Sequence, residues 1–462
     1  MTDIMDKTMK FIERWIMVAA VVIFIAHYTI LKTYYDSTIG AMKTYVLLAI
    51  GLLFVVNFIR APRQEKIDWI RRKNIFVPSM VLIVLYFIAR AVTIVLCDFD
   101  YSVIKTVVYE GIFLVAISRW TATDNMKFSD IAICIMVLIT VINILNLLSF
   151  HYFMANAVSD YSGNSLMTYM AGFTPEINRG IMYTNPNRGG ILSGLALVLS
   201  LWFVRKNKKK WLILLIPFWI LNLYSMYILD CRNSNVAIFV ALVSMVLLFA
   251  VKRLKPHVLV TICLICCVCV TAGIYGLIQY NLQDGDTTLS VTESQINAMT
   301  TGRYQIWQDA VASHADQWAF GAGSYEREID ERNAYLEERF VAAGGSEGQF
   351  VPTTLHLHNG YLSVMIYGGI FATALFIFII VDKLFGAKSL RYGEDIYKFE
   401  RIEAIVIAGM IIYFLMINLA EPHFIGKRHL DFLLIMVAMA WNKYKTEEGI
   451  DDTDGKLSHK TG

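Results

Sequence analysis

Long apolar runs separated by short polar turns repeat along most of the chain. Twelve can be marked, at about 15–31, 44–59, 75–96, 101–118, 131–150, 186–204, 211–229, 235–251, 257–280, 359–382, 402–420 and 430–442. Apart from the short last one they hold 16 to 24 residues. At the helical rise per residue, that length crosses the hydrocarbon core of a bilayer. The pattern predicts an all-α polytopic membrane protein with about twelve transmembrane helices. No small-residue cleavage site trails the first run, Trp15–Leu31, so it reads as a retained helix rather than a signal peptide.

The polar turns give the orientation. Arg60–Lys73, Arg205–Lys210, Lys252–Lys255 and Lys383–Arg401 together carry nineteen Lys and Arg, and they fall on one side if the runs alternate. Positive charge in short loops marks the cytoplasm, and both termini lie there with them. The chain then divides into nine helices over 1–280, a large extracytoplasmic loop over 281–358, three helices over 359–442 and a cytoplasmic tail over 443–462. The outer side receives Lys32–Lys43, Cys97–Asp100, His151–Asn185, Asp230–Ser234, the large loop, and Glu421–His429.

The large loop carries short helices of its own. Thr300 or Thr301 can cap a helix from Arg303 to Ser313. Ile306, Trp307, Ala310 and Val311 give that helix an apolar face, suited to the bilayer surface or to the bundle. Gly321-Ala-Gly323 ends the segment. Tyr325–Phe340 alternates Glu and Arg and reads as a solvated helix with i,i+4 pairs such as Glu328–Arg332. The loop has twelve acidic and four basic residues, a net charge of −8. It does not attract a polyanion as a whole, so a phosphate must be gripped by individual arginines.

Composition sharpens the class. The chain of 462 residues is 56% hydrophobic and 17% charged, whereas a soluble domain carries about 25% charge. A net charge of +3 points to no nucleic-acid partner. Four of seven cysteines sit in the run at 257–280, where they read as small hydrophobes, and the large loop has none to staple it. No His/Cys/Asp spacing suits zinc, and neither a G-x-S-x-G elbow nor a P-loop is present. An acyl hydrolase and an ATPase are thereby disfavoured, and no metal or cofactor is expected.

The candidate chemistry lies on the outer side. Arg232 occupies a five-residue turn, Arg303 heads a helix, and Arg179 and Arg188 flank the segment that holds Asn187. Each alone suits a lipid headgroup. Converging, they would cradle a pyrophosphate through paired, charge-assisted hydrogen bonds. His358 stands where the loop enters the tenth span, followed by Asn359, which can orient or cap. An imidazole at that boundary can take a proton from a hydroxyl. His356 lies two residues earlier and in an extended segment points the same way, so either histidine can be the base. Glu421 and His423, on another outer turn, can join the site. Within the spans, Arg90 and Glu110 lie at similar depth and can pair, with Lys105 one turn nearer the outside. Such charges are a coupling site in a transporter or a structural pair in a bundle, and the second reading is preferred.

These residues resemble a family. Asn185-Pro-Asn187 at a span start is followed by Asp-Cys-Arg232-Asn-Ser at an outer turn. Then come Thr-Gly-Arg303-Tyr-Gln-Ile-Trp307, Gly321-Ala-Gly323, His358-Asn-Gly-Tyr-Leu362 and Gly368-Gly369. Their order resembles the O-antigen ligase and Wzy-type polysaccharide polymerase superfamily, in motif over about 185–370 and in topology throughout. Cysteine replaces the usual small residue or serine before Arg232, and Trp318-Ala-Phe320 replaces a proline often found before the Gly-x-Gly.

The resemblance implies metal-independent, inverting transfer of a glycan from a polyprenyl pyrophosphate to a sugar hydroxyl, at the outer face of a bacterial cytoplasmic membrane. Arg232 and Arg303 would hold the pyrophosphate, with Arg188, Arg179 and Asn187 as further substrate contacts, and His358 would be the general base. The expected partners are the polyprenyl-pyrophosphate-linked oligosaccharide and membrane lipids, with a flippase and a chain-length regulator as candidates. The leading reading is polymerisation of lipid-linked repeats into a surface polysaccharide. The alternatives are ligase-like transfer of the finished glycan to another acceptor, and a transporter or flippase.

Overall fold

The computed structural model describes residues 2–31, 76–108, 110, 128–160, 182–206, 209–251, 253–283, 302–346, 348–386 and 398–421, with scattered residues of 35–59 and 294–300. Helices dominate. They are α1 (Thr2–His27), α2 (Phe76–Leu96), α3 (Phe128–Asp160), α4 (Pro186–Lys206), α5 (Lys209–Leu229), α6 (Arg232–Ala250), α7 (Pro256–Gln283), α8 (Arg303–Ser313), α9 (Tyr325–Ala342), α10 (Gly360–Gly386) and α11 (Lys398–Ile417). Residues 101–108 are helical too. Pro186 and Pro256 open α4 and α7 at the first helical position, where the missing N–H costs nothing.

Among the described residues, four segments are long and apolar enough to cross a membrane: Ala132–His151, Arg232–Ala250, Pro256–Tyr280 and Gly360–Ile379. Val81–Leu96, Leu215–Leu229 and Ala404–Ile417 are shorter apolar helices. Several helices of that length and composition in one chain are those of a multi-pass membrane protein. The expected runs at 44–59 and 430–442 and the second half of 101–118 lie largely outside the described residues.

The core forms around α11. Ala404 to Leu415 is almost continuously buried, and the helix packs against α6, α7 and α4. A helix that is apolar all round is stable only when surrounded. This axial helix delivers its C-terminal residues, Asn418 and Glu421, to one end of the bundle. Gly190 of α4 packs so closely on Cys231 that a Cβ there would overlap that side chain, which brings the α4 and α6 N-termini together.

Contacts among the turns gather at that same end. Residues 28–30 form an antiparallel bridge with 182–184, joining the C-terminal end of α1 to the entrance of α4. The Cys97 turn accepts a hydrogen bond from Arg327 through its carbonyl. Asn233 donates to the carbonyl of Ile417, and the amide of Gly360 donates to that of Asn418.

The loop segment before α9 is stitched into α10, which kinks at Gly369 (φ +69°). The kink frees carbonyls that need partners. Ala322 N–H donates to the Ile366 carbonyl and Gly323 N–H to the Tyr367 carbonyl, both at 2.8 Å. Any Cβ on Gly321 or Gly369 would strike the opposing backbone. Arg90 of α2, wholly buried, locks the junction. Its Nη1 donates to the Tyr367 carbonyl at 2.7 Å, its Nη2 to the Gly323 carbonyl at 2.8 Å, and its Nε to Glu110 at 3.3 Å. Tyr86 also donates to Glu110. The expected Arg90–Glu110 pair is present as a structural staple, and Lys105 stands exposed outside it.

Of the two loop helices, α8 follows its expected bounds and α9 runs two residues past its expected end. Thr300 Oγ1 accepts from Tyr304 N–H at the start of α8, whose Trp307, Ala310 and Val311 are buried against the bundle. The α9 helix departs from expectation. Its Glu328–Arg332 pair is buried rather than solvated, at 3.0 Å. Arg332 also donates to the Leu355 carbonyl. One face of α9 covers the strap of residues 353–358, so those charges are shielded by the chain they hold.

Candidate active site

Four helices begin where α11 ends. Asn187 is the second residue of α4, Arg232 and Arg303 are the first residues of α6 and α8, and His358 stands two residues before α10. Each helix N-terminus carries a partial positive charge, although first-turn amides are bonded within the chain, as Tyr304 and Gln305 of α8 are to Thr300 and Asn297 and Leu362 of α10 is to Asn359. Neither Cys231 nor Gly302, the N-cap residues of α6 and α8, caps its helix with a side chain. In their midst lies Glu421, one turn beyond α11.

Glu421 is the shared partner. Its Oε1 accepts from Asn187 Nδ2 at 3.1 Å and pairs with Arg303 Nη2 at 3.3 Å. The same oxygen lies 3.6 Å from His358 Nδ1. The Glu421 side chain is only 7% exposed, while Arg303 and His358 keep 19% and 22%. The carboxylate is therefore an internal anchor, and the two cationic or basic groups present an open side. Arg303 commits one of its five N–H donors to Glu421, which leaves others for a ligand.

The chain spends strain to hold His358. Its φ is +50°, a left-handed conformation uncommon for a non-glycine residue. Restraints on both sides impose it. Trp307 Nε1 donates to the Leu357 carbonyl, and the Gly360 amide is fixed on Asn418. Upstream, Asn333 exchanges two hydrogen bonds with Thr353, and Tyr325 donates to the Thr354 carbonyl. Asn359 is buried and caps α10, its Oδ1 accepting from Leu362 N–H at 2.9 Å.

The other expected residues separate. His356 lies flat on Tyr325, ring centroids 4.4 Å apart, and its ring stands perpendicular to that of His358 at 6.5 Å. His358 Nδ1 faces Glu421 Oε1 at 3.6 Å, beyond hydrogen-bond reach, and pairs with it by charge only when the ring is protonated. Arg188 turns toward Thr184 and the Tyr28 ring, where it braces the bridge between residues 28–30 and 182–184. Arg232 is exposed on the turn whose Cys231 and Asn233 contact Asn187 and Ile417. Burial raises the Cys231 thiol above the usual thiol range, so cysteine here packs the turn rather than supplying a thiolate. Arg179 and His423 lie outside the described residues.

Asn187 and Glu421 become central only in the folded chain. Glu421 was visible in the sequence as an acidic residue on an outer turn. Nothing local showed that it would collect three partners from three elements.

Residues 217–377 match the family model described as O-antigen ligase. The matched segment contains Arg232, Arg303, His356 and His358 and leaves Asn187 and Glu421 outside. Over that segment the chain is similar to the O-antigen ligase family, in agreement with the resemblance carried by the motifs. The likeness holds at the level of the superfamily and does not separate ligase from polymerase. No curated protein matches the chain.

Proposed function

We propose that the chain is a membrane glycosyltransferase that polymerises lipid-linked oligosaccharide repeats at the outer face of a bacterial cytoplasmic membrane. The observation that carries this reading is the meeting of Asn187, Arg303 and His358 on the buried Glu421 carboxylate, among four helix N-termini. Such a place suits a diphosphate, because helix dipoles and arginines stabilise the charge that develops on it.

In this reading Arg303 and Arg232 hold the pyrophosphate of the donor. The bond between the anomeric carbon and the phosphate oxygen breaks, and the pyrophosphate leaves with the electron pair. The acceptor hydroxyl attacks the opposite face of the anomeric carbon, and its proton passes to His358 Nε2. Glu421, beside Nδ1, orients the ring and balances the imidazolium that forms. The donor arrives activated, so no nucleotide site is needed. The α8 and α9 helices cover the strap and can limit water, which would otherwise hydrolyse the donor.

A transporter using Arg90 and Glu110 is disfavoured by their packing. Every donor of Arg90 described above is spent on backbone carbonyls of the α10 kink or on Glu110. The test is purified protein with lipid-linked repeat and no nucleotide. A ladder of products supports a polymerase, a single jump onto a different acceptor supports a ligase, and no product with either overturns both.

A further inference from the structure

His356 has no role in that chemistry, yet it is held as carefully as His358. Its ring stacks on Tyr325 at 4.4 Å with the planes tilted by only 24°. Tyr325 opens α9 behind the Ser324 N-cap, whose side chain accepts from Arg327 N–H, and the Tyr325 hydroxyl donates to the Thr354 carbonyl. The ring pair is therefore fixed at both ends, by a capped helix and by the strap. Both residues remain half-buried, so part of the pair faces solvent. The perpendicular His358 ring is its neighbour on the strap, 6.5 Å away between ring centroids, so a sugar lying on the pair reaches His358 at its edge.

We propose that the Tyr325–His356 pair is the acceptor-sugar subsite. This rests on the glycosyl-transfer reading above. A pyranose has an apolar C–H face that packs on aromatic rings, and a rigid aromatic pair offers such a surface at little entropic cost. The side is assigned by the base. His358 receives the acceptor's proton, so what neighbours it on the strap touches the acceptor, while the arginines and helix N-termini hold the donor phosphates. His356 is thus a positioning residue that sets acceptor affinity and specificity, and its ring matters as a face rather than as a base.

The test uses full-length protein in detergent. The donor is the lipid-linked repeat isolated from cells carrying the chain's His358→Ala variant, and the acceptor is the oligosaccharide released from that lipid by mild acid. His356→Ala is expected to raise the KM for acceptor about tenfold, the scale of one lost aromatic contact, with kcat and the donor KM nearly unchanged, whereas Tyr325→Ala, which also frees the strap at Thr354, should raise the acceptor KM and lower kcat as well. His356→Phe restores the acceptor KM. If His356→Ala leaves the acceptor KM unchanged while His358→Ala abolishes turnover, the subsite is overturned and the transfer reading stands. If His356→Ala abolishes kcat and His356→Phe does not rescue it, His356 is the base and the subsite is likewise overturned. If His358→Ala still turns over normally, the transfer reading itself falls. Should His356→Ala fail to purify as a monodisperse protein, His356→Phe against His356→Gln decides by the same KM criterion.

Discussion

Two arginine–glutamate pairs in this protein have the same separation and opposite character. Arg90–Glu110 and Arg303–Glu421 both lie at 3.3 Å, and both glutamates are 7% exposed. The difference is in the arginine. Arg90 is fully buried and its remaining donors close the carbonyls of a kinked helix and a loop. Arg303 is 19% exposed, heads α8 and commits one donor to Glu421. An ion-pair distance alone therefore says nothing about role. What separates staple from site is how many donors are left and whether water reaches them.

The largest effect expected is at the open pair's neighbour. His358→Ala removes the proton acceptor, a contribution of about 10²–10⁴-fold in rate for a general base. Cells carrying it should accumulate single lipid-linked repeats while the protein level in membranes stays normal. Full-length polymer from these cells would dissolve the distinction between the two pairs.

Next comes the closed pair. Arg90→Met strands Glu110 and leaves the Tyr367 and Gly323 carbonyls without their donor. Breaking a buried pair from one side costs about 3–5 kcal/mol. The expected result is a loss of folded protein, read by thermal unfolding in detergent. Any material that does fold should retain per-molecule activity, because no Arg90 donor faces the site. A well-folded but inactive variant would instead favour the transporter reading.

Glu421→Gln tests the anchor. The amide can still accept from Asn187 and Arg303 but carries no charge to balance an imidazolium. Hydrogen bonds to charged groups are worth about 1.5–3 kcal/mol, so turnover should fall roughly tenfold or more. The acceptor KM should move little, in contrast to the Tyr325–His356 variants.

How far the chain could be read in advance follows the same division. Apolar runs placed the helices well, because span length and burial are written residue by residue. Arg232, Arg303 and His358 stand out as candidates by type and place, and the fold sets them at or just before helix starts at one end of the bundle. The partners of Arg188, Thr184 and the Tyr28 ring, come together only through the bridge between residues 28–30 and 182–184, which no local pattern marks. Glu421 read as peripheral because its three partners lie between 63 and 234 residues away in the chain. The α9 helix read as solvated, since alternating Glu and Arg look alike on a surface and under a strap. Pairing across long separations leaves no local mark on either residue.

The smallest effect expected comes from two carboxylates within one turn of α9, which repeat the contrast in miniature. Burial raises the Glu328 carboxyl above its usual value, although Arg332 opposes the shift. Burial also pulls Glu331 upward, but hydrogen bonds from His314 and Arg327 outweigh it and leave that carboxyl below its usual value. The signs differ accordingly. Glu328 holds its proton more tightly in the folded chain, so its contribution is full below about pH 4.5 and is lost as pH rises through the raised value. Glu331 stabilises the fold above about pH 4.5 and loses that contribution as pH falls through its lowered value. Glu331→Gln should therefore cost about 1–2 kcal/mol near neutrality, through weaker bonds to Arg327 at 2.7 Å and His314 at 3.1 Å. In acid the variant and the parent should converge. Amide exchange along α9, followed from pH 7 down to about pH 2, reads the difference. A cost that persists undiminished in acid would mean that Glu331 acts by packing and that its charge contributes nothing.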